Sequence, residues 1–322
     1  MSGPKRMALA SLPTPLQRAT RLGVRLGIEE LFIKRDDLTG FSLGGNKIRK
    51  LEFLMGDALA QDADTILVMG GPKSNLCQAA ADASRVAGLA CELVLYGSRP
   101  KRAPANLALA EGSGAISWFT GDDDRSSVDA FAEQRAARLR SDGHRVYGIP
   151  RGGATAVGAV GYHLAAVEIA AQLGDAGIDM ASIVVGVGSG GTLGGIVSGG
   201  ASLGISWPLF GASVSRDCDE AESQVDTIAA QCARLLGTAA PAHRVTMVDA
   251  RGPGYGQNWS AADAASELAR ESEGLILDPI YTAKAFAALI QLTAAGMEGP
   301  LVFWHTGGIA TALDALTRED RT

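Results

Sequence analysis

Apolar residues recur along this chain as short runs of strand length, each closed by a glycine-containing turn and followed by apolar positions at helical spacing. Leu31-Phe32-Ile33-Lys34, Thr65-Ile66-Leu67-Val68-Met69 and Cys91-Glu92-Leu93-Val94-Leu95-Tyr96 are such runs in the first third. Further runs at 115–119, 145–149, 182–187, 209–214, 245–248 and 301–304 read the same way. Between them, Leu51, Leu54, Met55 and Leu59 mark one helix and an alanine-rich stretch at 76–86 a second. Polar helices are predicted around 126–140 and 220–236. A long helix carries Val160, Leu164, Val167, Ile169 and Leu173 on its apolar side. Strand, glycine turn and helix in repetition predict an α/β protein with mostly parallel strands.

The pattern divides in two. Residues 53–160 form a unit of about a hundred residues, a size that folds by itself, and Arg151-Gly152-Gly153-Ala154 hands the chain back to a larger unit made of 1–52 and 161–322. A chain of 322 residues has room for both cores.

Composition narrows the function. Hydrophobic residues at 47% against 20% charged predict a compact fold, and a net charge of -6 offers no general attraction to nucleic acid or an anionic membrane. Anionic ligands must therefore be held locally. Cys77, Cys91, Cys218 and Cys232 include no Cys-x-x-Cys pair, which argues against zinc and against a disulfide framework and predicts a reduced cytoplasm. Pro4, Lys5 and Arg6 lead into too short an apolar run for a signal peptide, so no export is expected. The uncharged stretch 180–215 is dense in glycine and serine and reads as buried strand, loop, helix and strand rather than a membrane span.

Two loops carry the candidate chemistry. Phe41-Ser42-Leu43-Gly44-Gly45-Asn46-Lys47 delivers one lysine to a helix start, where close backbone packing at the glycines can seat its amine beside a flat ligand. Val187-Gly188-Ser189-Gly190-Gly191-Thr192 follows a buried strand and opens a helix, so backbone N–H groups converge on a phosphate with Ser189 and Thr192 adding hydroxyls. An amine at one loop and an anion cup at the other suit pyridoxal phosphate, with Lys47 as its Schiff-base lysine. No Walker lysine follows the second loop. Gly186-Val187-Gly188-Ser189-Gly190-Gly191 also satisfies a dinucleotide fingerprint, but no acidic residue follows it before Arg216.

A third loop, Gly70-Gly71-Pro72-Lys73-Ser74-Asn75, opens the 76–86 helix. Ser74 and Asn75 there either hold a substrate carboxylate or cap the helix. Tyr255 lies on the glycine turn 252–256, His163 reads as a packed histidine, and Asp122-Asp123-Asp124 as a solvated turn.

In order and spacing these motifs resemble the fold-type II pyridoxal-phosphate enzymes, and within them the D-cysteine desulfhydrase and 1-aminocyclopropane-1-carboxylate deaminase family. The likeness spans Leu12-Pro13-Thr14-Pro15-Leu16, Ile33-Lys34-Arg35-Asp36-Asp37, Gly-Gly-Asn-Lys, Ser74-Asn75, Gly-Ser-Gly-Gly-Thr, Asp278-Pro279-Ile280-Tyr281-Thr282 and His305-Thr306-Gly307-Gly308. It implies two open twisted sheets flanked by helices, with the cofactor in the cleft between them, and a homodimer acting on a small amino acid. Residue by residue, it implies that Asn75 partners the cofactor's phenolic oxygen and that Gly188–Thr192 is the phosphate cup. It also places Thr306 beside the cofactor, makes Ser74, Tyr255 and Tyr281 substrate-side catalytic groups, and turns Thr282 toward the pyridine nitrogen. In the family, ring opening accompanies a glutamate at the Thr282 position and a leucine at the Thr306 position. The resemblance therefore favours elimination of a β-substituent, with ring opening, β-replacement or an inactive binding protein as alternatives. Lys73 and Leu76 depart from the family's Gln-Ser-Asn-His, and point to a specialised substrate that carries a second acidic group or to a solvent-facing lysine.

Overall fold

The computed structural model describes residues 3–241 and 245–317. One sheet contains β1 (Leu16–Arg18), β2 (Leu31–Arg35), β7 (Ser182–Val187), β8 (Leu209–Ser213), β9 (Thr246–Asp249) and β10 (Leu301–His305), in the order β1-β2-β10-β7-β8-β9. The other contains β3 (Thr65–Gly70), β4 (Ala90–Leu95), β5 (Ile116–Phe119) and β6 (Val146–Ile149), in the order β5-β4-β3-β6. Every pairing is parallel except β1 with β2. Helices α1 (Thr20–Leu26), α2 (Asn46–Ala60), α3 (Asn75–Ala87), α4 (Ala105–Gly112), α5 (Ser127–Ser141) and α6 (Ala156–Asp175) belong to the first half. They are followed by α7 (Gly191–Ser202), α8 (Cys218–Leu236), α9 (Ser260–Glu273), α10 (Thr282–Ala294) and α11 (Ile309–Leu316).

Why the strands read as unbroken apolar runs is visible in their packing. Val184 and Phe303 join one core with Phe286 and Leu289 of α10, while Val185, Val302 and Trp304 join another with Tyr162, Ile169 and Ile196 of α6 and α7. Side chains alternate between the faces and both faces are covered, so both registers are mainly apolar, with exceptions such as Lys34 and His305 toward the strand ends. In the small sheet Ile66, Val68 and Leu93 pack on α2 and α3, and Leu67 and Val94 on Val128 and Ala132 of α5.

The apolar side of α6 differs from the expected one. Val160, Ile169 and Leu173 are buried, but Leu164 and Val167 are 44% and 40% exposed. The buried stripe passes through Ala159, Tyr162, His163 and Ala166 because α7 presses Gly195 and Gly199 against them, leaving no room for a side chain at either glycine. His163 is a packed residue, its ring nitrogens 3.0 Å from Ser198 Oγ and 3.4 Å from Ser202 Oγ.

Candidate active site

The lysine turn is held by the last strand of its own sheet. Gly45, at φ +96°, caps α2, and a side chain there would lie 3.0 Å from the Thr306 carbonyl. Asn46 N–H donates to that carbonyl at 2.9 Å. A Cβ on Gly307 would in turn stand 2.6 Å from Gly45 Cα, so two glycine turns meet backbone to backbone.

Beneath the turn lies a buried charged network built from the early motifs. Arg49 donates to both carboxylate oxygens of Asp36 (3.1 and 2.9 Å) and to both of Glu168 (3.0 and 2.8 Å). Asp36 also receives Thr14 Oγ1 (2.8 Å), the Tyr162 hydroxyl (2.5 Å) and Trp304 Nε1 (2.8 Å). Lys34 Nζ donates to Glu168 at 2.5 Å. Two cations face two carboxylates with their hydrogen bonds filled, which is the condition for tolerating charge at this depth. Burial pushes the Asp36 carboxyl upward, but the Arg49 charge and the donors around it hold it below the ordinary carboxylate range.

A cavity of about 780 Å³ lies between the two sheets and is lined by Lys47, the α3 start, the 188–192 loop, both tyrosines and Thr306. Seven lysine and arginine side chains border it against three aspartates, in a chain whose net charge is -6. Lys47 Nζ donates to Asn46 Oδ1 at 2.7 Å. Burial pulls this amine down to about 8, with the Asp278 carboxylate partly opposing, so a usable fraction is neutral near physiological pH. The Asn46 amide reaches across to Thr192 Oγ1 at 3.0 Å, so the lysine turn and the phosphate loop converge on one place.

Lys50 is a site residue that sequence reading passed over. It is 1% exposed, among the described residues its one hydrogen bond is to the Gly152 carbonyl at 3.2 Å, and its amine stands beside Gly191. Burial and then the Lys47 charge hold it well below the ordinary lysine value. The signal was its position, one helical turn after Lys47 and therefore on the same face.

At the third loop Ser74 does cap α3, accepting from Cys77 N–H at 3.2 Å, and it also lines the cavity, so the two readings are compatible. Asn75 accepts from Asn106 Nδ2 at 2.8 Å, which leaves its own amide N–H₂ to donate. Lys73 is half-buried on the wall, and Leu76 is buried in the core of the small sheet while touching the cavity. The Tyr255 and Tyr281 hydroxyls are 2.7 Å apart, and Tyr96 joins them on the same wall. Burial first, then Tyr255, raises the Tyr281 phenol well above its usual value. Lys284 Nζ holds the Tyr255 loop by donating to the Arg251 and Gly254 carbonyls, each at 2.7 Å. Thr282 is 1% exposed, donates from Oγ1 to Asp278 Oδ2 at 2.8 Å and accepts from Asp278 N–H at 2.7 Å; Asp278, Ile280 and Tyr281 line the cavity there.

A site with a softened lysine amine facing a cationic, glycine-lined anion cup belongs to a known class. The family model of pyridoxal-phosphate dependent enzymes matches residues 7–307, and the chain belongs to that family. It is 38% identical over 311 residues to the D-cysteine desulfhydrase of Klebsiella pneumoniae, covering 94% of each chain. It is 35% identical to a putative 1-aminocyclopropane-1-carboxylate deaminase of Pyrococcus abyssi, covering 94% of this chain and 92% of the relative. A crystal structure of an ACC deaminase homologue superposes with a TM-score of 0.89 at 36% identity, covering 95% of this chain and 93% of that one.

The residues fit the cofactor. Gly188–Thr192 forms a cradle at the α7 start, and Lys50 is a buried amine, short of partners, that a phosphate dianion would satisfy.

Proposed function

We propose that this enzyme is a lyase that removes a β-substituent from a small amino acid, as a D-cysteine desulfhydrase does, giving pyruvate, ammonia and the departing group. The observation that carries the reading is the Lys47 amine, lowered to about 8, sharing one cavity with the 188–192 cup. When bound, pyridoxal phosphate supplies an electron sink for the charge left on the α-carbon.

The chain's own groups do the rest. Lys50 and the cup would hold the phosphate, and Asn75, whose Oδ1 is taken up by Asn106, would have its amide N–H₂ left to donate to the bound cofactor. The α3 start with Ser74 holds the substrate carboxylate against free N–H groups. Lys47, once released to its neutral form, takes the α-proton. The Tyr255–Tyr281 hydroxyl pair passes a proton toward the departing group.

Four free cysteines, three of them buried, support a reducing cytoplasm as its place. The exposed Leu164 and Val167 on α6, together with the family resemblance, support a homodimer. Ring opening of a cyclopropane amino acid is a second reading, supported by the names of the Pyrococcus relative and the solved homologue.

The test is direct. The purified protein is expected to be yellow and to be bleached irreversibly by borohydride, and D- or L-amino acids with β-leaving groups are expected to release pyruvate faster than the cyclopropane substrate releases its keto acid. Colourless protein that binds NAD instead overturns the reading.

A further inference from the structure

On the substrate side of the cavity, an arginine stands where an ordinary elimination needs no cation. Arg125 is half-buried on the wall, its guanidinium 4.4 Å from the centre of the Tyr255 ring. Its charge partly offsets the burial that pushes the neighbouring Tyr96 phenol up to about 12, which places it among the three tyrosines. Arg151 is paired with Asp129 at 3.5 Å and Arg216 with Glu220 at 2.7 Å, whereas Arg125 forms no salt bridge among the described residues, not even with Asp123 or Asp124 of its own turn. Lys73 lines the same cavity, immediately before Ser74. Stacking on Tyr255 fixes the guanidinium plane, the arrangement by which an arginine presents its fork to an oxyanion.

The α3 start already serves the α-carboxylate, and Lys50 with the cup serves the phosphate. Resting on the elimination reading above, we infer that the substrate carries a second negative charge on its β-substituent, and that Arg125, in a cavity that Lys73 also lines, receives it.

The chemistry favours such a leaving group. The α C–H bond breaks with its proton passing to the Lys47 amine, and the bond from Cβ to the substituent breaks with the electron pair leaving on that group. A β-sulfonate departs as sulfite and an O-phosphate as phosphate. Addition of one water to the remaining three-carbon enamine gives pyruvate and ammonia. For the sulfonate the departing group gains a full negative charge, so a fixed guanidinium interacts more strongly with the transition state than with the substrate.

The experiment measures pyruvate release by the holoenzyme from both enantiomers of cysteine, β-chloroalanine, 3-sulfoalanine and O-phosphoserine. We expect kcat/KM for at least one anionic substrate to exceed that for cysteine by about tenfold or more. Arg125→Gln is expected to reduce the ratio of anionic to neutral kcat/KM by about 50-fold, and Arg125→Lys to restore part of it. Faster turnover of sulfonate than phosphate, or the reverse, identifies which oxyanion fits. Preference for cysteine or β-chloroalanine over every charged compound, or an unchanged ratio in Arg125→Gln, overturns the inference and leaves the elimination reading standing. Pyruvate from no compound overturns both.

Discussion

The Lys50 ammonium occupies the space that a side chain on Gly191 would need, with 3.0 Å between Nζ and the place of the missing Cβ. The cup and its cation are therefore packed closely around a bare residue 191. Gly191→Ala is expected to push Lys50 aside and, with Ala154 Cα only 3.1 Å away, to strain the loop. Cofactor affinity, measured by titrating apoprotein with pyridoxal phosphate, should fall by about tenfold or more, roughly the loss of one charge-assisted hydrogen bond.

Lys47 carries an opposite expectation for stability. Its amine titrates near 8 when folded and near 10.5 when unfolded, so between these values the unfolded chain binds more protons and apoprotein stability rises with pH. Lys47→Met should abolish the borohydride-trapped adduct. It should also stabilise the apoprotein below pH 8, by on the order of 3 kcal/mol, with the gain vanishing by about pH 10.5. Urea unfolding at several pH values checks this.

The Asp36–Arg49 pair predicts the reverse. Asp36→Asn leaves the Arg49 and Lys34 cations to share Glu168 alone and should cost about 3 kcal/mol at neutral pH. Both Asp36 and Glu168 are held below the ordinary carboxylate range, burial in each case being overcome by Arg49. Their contribution is complete above that range and is lost as pH falls through the depressed folded values, so the wild type should lose more stability than Asp36→Asn on acidification. Thermal melts from neutral to acid pH read the difference.

Lys284 positions Tyr255 without touching the cavity. Lys284→Met frees the Arg251 and Gly254 carbonyls, and elimination kcat/KM should fall between about tenfold and a hundredfold while the cofactor's visible absorbance is unchanged. A matching loss of colour would assign Lys284 to folding alone.

The sequence made the local features legible. Strand runs, glycine turns and the Lys47 and 188–192 loops are each contained within ten residues or so, where periodicity and backbone chemistry speak directly. Ser74 was legible as either cap or ligand because one helix start serves both. What escaped was long-range. Arg125 lies 130 positions from Tyr255, and nothing local separates it from the solvated charges of its acidic turn. Asn106 meets Asn75 across 31 positions from a helix, α4, that follows a basic, proline-flanked loop. On α6 the leucine and valine were weighed by hydropathy, whereas two glycines on a neighbouring helix decided which side is covered.

The insertion of β10 between β2 and β7 sets an order of assembly. Trp304 completes the cage around Asp36, and the Thr306 carbonyl anchors Asn46, so the reactive amine takes its final setting from residues made some 250 positions after it. A chain in which that strand has not docked has its lysine but no tuned base. Vitamin capture therefore waits on the docking of β10, and colour reports a finished molecule.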